Sequence, residues 1–164
     1  MKEVKIKLFF TDVDGTLTDG GMYYTSDGDC MKRFYVRDGM GMKLLQQVGV
    51  KVGIITSETT GIVEARAKKL GVDYLCMGVR FDGKVEAVRK ICAETGVSMD
   101  EVAFIGDDVN DIALLQAVGL AACPHDACEE VLDIPHIRVM HHSGGYGAVR
   151  ELTDMIRHYR QQLD

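Results

Sequence analysis

The chain has 164 residues, of which 46% are apolar and 27% charged, and its formal net charge is −6 at pH 7. This length and composition predict an ordinary globular protein with one domain spanning residues 1–164. The negative charge argues against a nucleic-acid partner, which needs a basic surface, and no apolar run approaches the roughly 20 residues of a membrane span.

Short apolar runs alternate with helical patterns along most of the chain. The runs that predict buried strands are Lys5–Thr11, Lys51–Thr56, Val102–Gly106 and Gly119–Ala122. Apolar residues at three- and four-residue spacing predict helices over Gly39–Val48, Gly61–Leu70, Gly83–Glu94 and Val109–Val118. Strands that alternate with helices imply right-handed crossovers and a parallel sheet. The predicted fold class is therefore α/β, a doubly wound parallel sheet of the Rossmann type.

One segment breaks this alternation soon after the first strand. The β-like runs Met22–Tyr24 and Met31–Tyr35 flank Ser26–Asp29, whose Asp-Gly pair is a strong hairpin signal. We therefore predict a projecting β-hairpin. Near the end of the chain, Gly144–Gly145 predicts a loop and Tyr146–Gln162 a closing amphipathic helix.

The cysteines and histidines do not indicate a transition-metal site. The five cysteines contain no C-x-x-C pair, so we expect reduced thiols in a cytoplasmic protein rather than zinc ligands. His141 and His142 are adjacent, and on a strand their rings would point to opposite faces. Charges recur through Met1–Lys7, which does not fit a signal peptide.

Asp12 and Asp14 follow the first predicted strand in the segment DVDGT. Ligands of a doubly wound sheet bind beyond the carboxyl ends of its strands, and the two-residue period puts both carboxylates on one side of the chain. Two carboxylates this close repel each other unless a cation separates them or one holds a proton. Magnesium prefers such oxygen ligands, and a protonated Asp14 could act as a general acid. Taken alone, however, an Asp-rich turn is more often just a turn.

Further polar residues follow the later strands. Thr56 and Ser57 end the second strand, where they could bind phosphate oxygens or simply cap the next helix. Lys84 begins a helix, a position where a lysine is ordinarily solvated. The segment GDDVND follows the Val102–Gly106 strand, and its three aspartates exceed what a helix cap requires and suit a supported metal ligand. These aspartates are Asp107, Asp108 and Asp111.

The order of these segments resembles the four motifs of the haloacid dehalogenase superfamily. The matching segments are DVDGT, the IITS strand end, Lys84 and GDDVND. The resemblance implies a magnesium-dependent phosphatase in which Asp12 is the nucleophile and Asp14 the general acid and base. Thr56 would bind phosphate, and Lys84 would neutralise the nucleophile and the phosphate. The implied Mg²⁺ ligands are Asp12, the backbone carbonyl of Asp14, and Asp107, with Asp108 and Asp111 in support.

The spacing of these motifs narrows the resemblance. The gaps between DVDGT, IITS and Lys84 are too short for a cap domain, so we expect a capless enzyme. The chain resembles the phosphatases of 3-deoxy-ulosonate phosphates, which release free octulosonate or nonulosonates. The segments that carry this resemblance are DVDGTLTDGGMYY, Arg37–Gly41, GDDVND and Gly144–Glu151. This resemblance implies a phosphorylated sugar acid as substrate. It also implies a homotetramer in which hairpins and C-terminal segments contact neighbouring sites.

One departure bears on the substrate. After Thr56, octulosonate-phosphate members typically have Gly-Arg, whereas this chain has Ser57 and Glu58. Glu58, together with Lys69 one helix later, resembles the nonulosonate 9-phosphate members. Our main hypothesis is therefore a nonulosonate 9-phosphate, with octulosonate 8-phosphate as the alternative. Arg150 could reach a substrate carboxylate or be a helix-surface charge.

Two non-enzymatic classes remain for comparison, a receiver-like signalling module and an idle scaffold subunit. In a receiver, an acidic pair comes early in the chain and the phosphoacceptor lies at the third strand. Here the pair Asp12 and Asp14 starts the chain and Lys84 precedes GDDVND, so the order of the motifs does not fit a receiver. A scaffold has no need for the complete set of Asp12, Asp14, Lys84 and Asp107.

Overall fold

The computed structural model describes residues 5–163, without the side chains of residues 161 and 163. Most of Met1–Lys7, on which the expectation of no signal peptide depends, and the last residue of the expected 1–164 domain lie outside these residues. In the described part, no helix is long and apolar enough to cross a membrane.

The elements confirm an α/β fold. The strands are β1 Leu8–Thr11, β2 Tyr23–Thr25, β3 Gly28–Met31, β4 Lys51–Ile55, β5 Tyr74–Cys76, β6 Val102–Ile105, β7 Leu120–Cys123 and β8 Arg138–Val139. The helices are α1 Val36–Gln47, α2 Gly61–Leu70, α3 Gly83–Thr95, α4 Ile112–Ala117, α5 Glu129–Leu132 and α6 Ala148–Leu163. Six strands form one parallel sheet in the order β5-β4-β1-β6-β7-β8.

Helices cover both faces of this sheet, as the doubly wound prediction requires. Phe9 faces a core built with α1, α2 and α6. Phe10 faces the opposite core, built with α3, α4 and α5. Because successive side chains of a strand point to opposite faces, each central strand supplies apolar residues to both cores. The continuous apolar runs that predicted buried strands follow from this arrangement.

Several boundaries differ from the prediction. β1 begins at Leu8 rather than Lys5, although the Lys7 N–H still donates to the Glu101 carbonyl at 2.8 Å. The predicted helix Val109–Val118 is instead a 3₁₀ turn over Val109–Asp111 followed by α4. The side chain of Asp108 caps that turn by accepting from the Val109 N–H at 2.7 Å. The short elements α5 and β8 have no clear periodic pattern and are not predicted.

The hairpin is present, but its second strand was placed wrongly. β2 and β3 pair in an antiparallel manner around a two-residue turn, and Gly28 after the turn has φ +111°. β3 ends at Met31, where the predicted strand Met31–Tyr35 begins. Beyond it, Phe34 makes an antiparallel bridge with Thr18, which brings the base of the hairpin against the DVDGT loop. Among the elements of residues 5–163 there is no cap domain.

Candidate active site

The predicted motifs meet at the carboxyl edge of the three central strands. Asp12 follows β1, Thr56 follows β4, and Asp107 lies two residues after β6, while the sheet order places β4, β1 and β6 side by side. The Asp12 N–H donates to the Ile105 carbonyl at 3.0 Å, which fixes the first motif against the fourth. The convergence expected from parallel-sheet geometry is thus found.

Lys84 is a buried partner of Asp12 rather than a solvated surface lysine. It enters the site from the first turn of α3, and its side chain is 0% exposed. Its Nζ donates to Asp12 Oδ1 and to Asp111 Oδ1, each at 2.7 Å. Burial alone would lower the pKa of Lys84, but Asp12 and Asp111 outweigh burial and raise it. Lys84 therefore remains charged.

Three carboxylates crowd this point. One oxygen each of Asp12, Asp107 and Asp111 lies within 4.8 Å of the others. Burial and the charge of Asp111 raise the pKa of Asp12, while burial raises the pKa of Asp107 to about 7 despite the hydroxyl that Thr16 donates to it. When all three carboxylates are ionised, one lysine leaves an excess of two negative charges. A divalent cation with a preference for oxygen ligands fits this donor set.

The roles of the three carboxylates differ. Asp111 is fully used by the protein, because Oδ1 accepts from Lys84 and Oδ2 accepts from the N–H groups of Asp107 and Asp108 at 3.0 and 3.3 Å. Asp111 therefore orients Lys84 and the backbone of Asp107. Asp107 Oδ1 accepts the hydroxyl of Thr16 at 2.7 Å.

Gly15 allows the approach of Asp107. It has φ +89°, and a Cβ at this position would overlap the Asp107 carboxylate. Only glycine satisfies both the left-handed backbone and the contact.

The side chain of Asp14 lies apart from the three-carboxylate cluster and has its own lysine. Asp14 Oδ1 accepts from Lys32 Nζ at 2.6 Å, and Lys32 also forms an ion pair with Asp29 at 2.9 Å. Burial would lower the pKa of Lys32, but the hydrogen bond to Asp14 and the charge of Asp29 raise it. Sequence reasoning missed Lys32. The available signal was a basic residue directly after Met31, at the end of the hairpin.

The second motif borders an open cleft of about 390 Å³. Thr56 is buried, and its Oγ1 accepts from the Glu58 N–H at 3.1 Å. Ser57 Oγ donates to the Val79 carbonyl and accepts from Asn110 Nδ2, both at 3.1 Å. The residues that line the cleft are Ser57, Glu58, Arg80, Phe81, Asp108, Val109 and Asn110. Arg80 and Asn110 are further residues that sequence reasoning missed.

Two predicted substrate residues lie elsewhere. Lys69 is in the last turn of α2, about 12 Å along the helix axis from the end nearest Glu58, and lines a separate groove with Met40 and Arg66. Arg150, in α6, donates to Asp154 at 2.6 Å and lines a cleft of about 480 Å³ with Tyr35. Within one chain, neither residue lines the cleft beside Glu58.

The loop before α6 packs on the DVDGT segment. The Gly145 N–H donates to the Thr16 carbonyl at 3.0 Å, and a Cβ at Gly144 would overlap the Gly15 carbonyl. His141 and His142 lie in a bend, and both rings contact Glu151, at 2.6 and 2.9 Å. The expectation that adjacent histidines would point to opposite faces is therefore wrong, because it assumed a strand.

Fold and site together define a magnesium-dependent phosphatase. The chain belongs to the haloacid dehalogenase-like hydrolases, whose family model matches residues 32–119. It is 36% identical over 155 residues to the 3-deoxy-D-manno-octulosonate 8-phosphate phosphatase KdsC of Haemophilus influenzae, covering 92% of this chain and 82% of that protein. The Escherichia coli K12 protein of the same name is 35% identical over 164 residues, covering 99% and 85%.

Solved structures agree with these relatives. The Moraxella catarrhalis 3-deoxy-D-manno-octulosonate 8-phosphate phosphatase, in complex with magnesium, phosphate and KDO, matches with a TM-score of 0.89 and 35% identity, covering 98% of this chain and 90% of that one. The cobalt-bound Haemophilus influenzae enzyme matches with a TM-score of 0.89 and 34% identity, covering 96% and 90%.

These comparisons confirm the predicted family, the capless fold, the phosphatase activity and the Mg²⁺ cofactor. They also decide against the receiver-like and scaffold classes. Among the two substrate hypotheses, the names of the relatives favour octulosonate 8-phosphate, which was our alternative, over nonulosonate 9-phosphate, which was our main hypothesis.

Proposed function

We propose that the chain hydrolyses the phosphate monoester of a 3-deoxy-2-ulosonate, with octulosonate 8-phosphate as the first candidate, through a phosphoryl group carried on Asp12. The main support is the buried contact between Lys84 and Asp12, because a lysine held 2.7 Å from one carboxylate oxygen leaves the other oxygen to attack phosphorus. Dividing the hydrolysis into two displacements lowers the barrier of each.

The remaining motif residues supply positioning and proton transfer. Asp14 donates a proton to the leaving oxygen and later accepts one from the water that cleaves the aspartyl-phosphate. Lys84 neutralises charge on Asp12 and the phosphate, while the Thr56 hydroxyl and the Ser57 backbone N–H bind phosphate oxygens beside it. Asp12, the Asp14 carbonyl and Asp107 would hold Mg²⁺, supported by Asp108 and Asp111. When bound, the ion supplies charge neutralisation at the transferring phosphoryl group.

The Asp12→Asn variant tests the nucleophile. We expect it to lose at least about 10³-fold in phosphate release from p-nitrophenyl phosphate with Mg²⁺, because the amide is a far weaker nucleophile. Asp133→Asn, a change of the same kind at an exposed position after α5, is the matched control and should keep wild-type activity. Equal rates from wild type and Asp12→Asn would contradict the proposal.

A second candidate substrate, a nonulosonate 9-phosphate, is favoured by Glu58. This acidic residue lines the open cleft where octulosonate-phosphate members typically have an arginine. Arg80 lines the same cleft and offers a cation for the sugar-acid carboxylate. A change of charge at such a position alters substrate preference through the difference of two binding free energies.

Rates on the two sugar-acid phosphates decide between the candidates. We expect the wild type to have the higher kcat/KM on octulosonate 8-phosphate if the relatives share its substrate, and on nonulosonate 9-phosphate if Glu58 sets the preference. In the second case, Glu58→Arg should shift the ratio toward octulosonate 8-phosphate by about tenfold or more. A ratio unchanged by Glu58→Arg would remove Glu58 from substrate selection.

A homotetramer in the cytoplasm completes the proposal. Tyr24 and Met31 on the hairpin are 62% and 54% exposed, which supports contact with a neighbouring copy. Lys69 and Arg150 would then reach substrate from an adjacent subunit. Mixed assemblies of Asp12→Asn and Lys69→Met chains should regain activity that neither has alone, measured beside the mass of the assembly. Monomeric protein, or no recovery on mixing, would contradict a role across subunits.

A further inference from the structure

Lys32 is a buried charge whose function the phosphatase motifs do not explain. It directly follows β3, and the bridge between Phe34 and Thr18 returns the chain to the DVDGT loop just beyond it. Its side chain is 0% exposed. Burying an ammonium group is costly unless it is paired, so both partners of Lys32 matter.

The partners divide Lys32 between the hairpin and the first motif. Nζ lies 2.6 Å from Asp14 Oδ1 and 2.9 Å from Asp29 Oδ2, and Asp29 belongs to β3. A role in stability alone would be met by the pair within the hairpin. The shorter contact instead goes to Asp14, whose side chain is 27% exposed and so remains open on one side.

This geometry limits the rotation of the Asp14 carboxylate. The last torsion of an aspartate is broad, so an unheld carboxylate samples many orientations. The hydrogen bond from Lys32 fixes Oδ1 and leaves Oδ2 as the oxygen able to exchange a proton. A misplacement of about 1 Å in a reacting group can cost on the order of 100-fold in rate.

We propose that Lys32 is the positioning residue of the general acid, holding the Asp14 carboxylate so that its other oxygen meets the leaving group. The proposal rests on the proposed role of Asp14 in proton donation. It makes the hairpin a working part of the site, because the lysine that orients Asp14 is anchored through Asp29.

The test compares two leaving groups. p-Nitrophenolate departs with little protonation, whereas phenolate needs the acid more, so kcat/KM for p-nitrophenyl phosphate and phenyl phosphate separates acid catalysis from general damage. We expect Lys32→Met to lose about 10- to 100-fold on phenyl phosphate and less than about threefold on p-nitrophenyl phosphate. Asp14→Asn should change the ratio in the same direction and further.

Arg33→Met is the matched control. Arg33 is the next residue, and it binds the Gly145 carbonyl at 2.8 Å and the Tyr146 ring instead of Asp14. Its loss disturbs the hairpin base but should leave the ratio of the two rates unchanged. If Lys32→Met does not fold, the double variant Lys32→Met/Asp29→Asn removes the unpaired hairpin carboxylate and is measured in its place.

The outcomes separate the two claims. A ratio that changes in Asp14→Asn but not in the Lys32 variants overturns the positioning role and leaves the proposed function standing. A ratio unchanged in Asp14→Asn overturns the general acid itself, and the role of Lys32 with it. An equal change of the ratio in Arg33→Met would reduce Lys32 to a structural residue.

Discussion

Replacing Lys84 by methionine tests the charge balance around Asp12 directly. Methionine keeps an unbranched side chain but carries no charge, so the packing of α3 against the sheet edge is largely preserved. In the wild type, Lys84 is 0% exposed and lies 2.7 Å from two carboxylates. Breaking a buried ion pair by removing one partner costs about 3–5 kcal/mol. We expect that loss in the free energy of unfolding of the metal-free protein.

The same variant should bind Mg²⁺ more tightly while losing activity. Lys84 bonds the carboxylate of Asp12 that would hold the cation. A divalent and a univalent charge about 5 Å apart repel each other by several kcal/mol at an effective dielectric constant of about 20. A tenfold gain in affinity, about 1.4 kcal/mol, is therefore a conservative expectation. Activity should nevertheless fall by about 10²- to 10³-fold, because Lys84 no longer neutralises the transferring phosphoryl group.

Three measurements on one variant check this reasoning: urea unfolding without metal, calorimetric titration with Mg²⁺, and phosphate release from p-nitrophenyl phosphate. Lys51→Met is the control, since Lys51 pairs with Asp73 at 2.8 Å on the surface, where solvent screens an ion pair and leaves it weak. Weaker Mg²⁺ binding in Lys84→Met, or a loss of stability no larger than in Lys51→Met, would refute the charge balance described for Asp12.

Three further predictions follow from the same contacts. Gly15→Ala forces a side chain into the Asp107 carboxylate at φ +89°, so stability should fall by at least about 1–2 kcal/mol in urea unfolding and Mg²⁺ affinity should fall in calorimetry. Thr16→Val removes the hydroxyl that Asp107 accepts at 2.7 Å, and Mg²⁺ affinity should fall by about 10- to 100-fold in the same titration. Burial raises the pKa of Asp38 from 3.8 to about 6, so its proton stabilises the fold below about pH 4, and this contribution of up to about 3 kcal/mol is lost as pH rises through 6. Asp38→Asn should remove that part of the pH dependence of unfolding, and an unchanged dependence would contradict it.

The sequence predicts the parts of the site that parallel-sheet geometry determines. Strands that alternate with helices must be parallel, so residues directly after them meet at one edge, which is where Asp12, Thr56 and Asp107 lie. The partner of Asp12 was predicted through the order of motifs, not through any local pattern. A lysine in the first turn of a helix does not by itself reveal whether it points into the sheet edge or into solvent.

The hairpin shows why the rest could not be predicted. Its second strand was placed at Met31–Tyr35 but occupies Gly28–Met31, so it begins three residues earlier and ends four residues earlier than predicted. Lys32 lies just after β3 rather than inside the predicted strand, so the alternation of a strand could not assign its side chain to a buried face. The wrong prediction for His141 and His142 has a similar cause. The directions of their rings were assigned from a strand, whereas the structure has a bend there.

The two buried lysines distinguish Asp12 and Asp14, the aspartates proposed as nucleophile and general acid. Asp12 is paired with Lys84 from α3 within a cluster of three carboxylates, where an additional cation is needed. Asp14 is paired with Lys32 from the hairpin and lies outside that cluster, so its proposed proton exchange would not compete with a metal bound there. Because a different lysine holds each carboxylate, the Asp-x-Asp spacing alone does not determine their roles. The hairpin, which occupies part of the interval where a cap would otherwise be inserted, supplies the second partner.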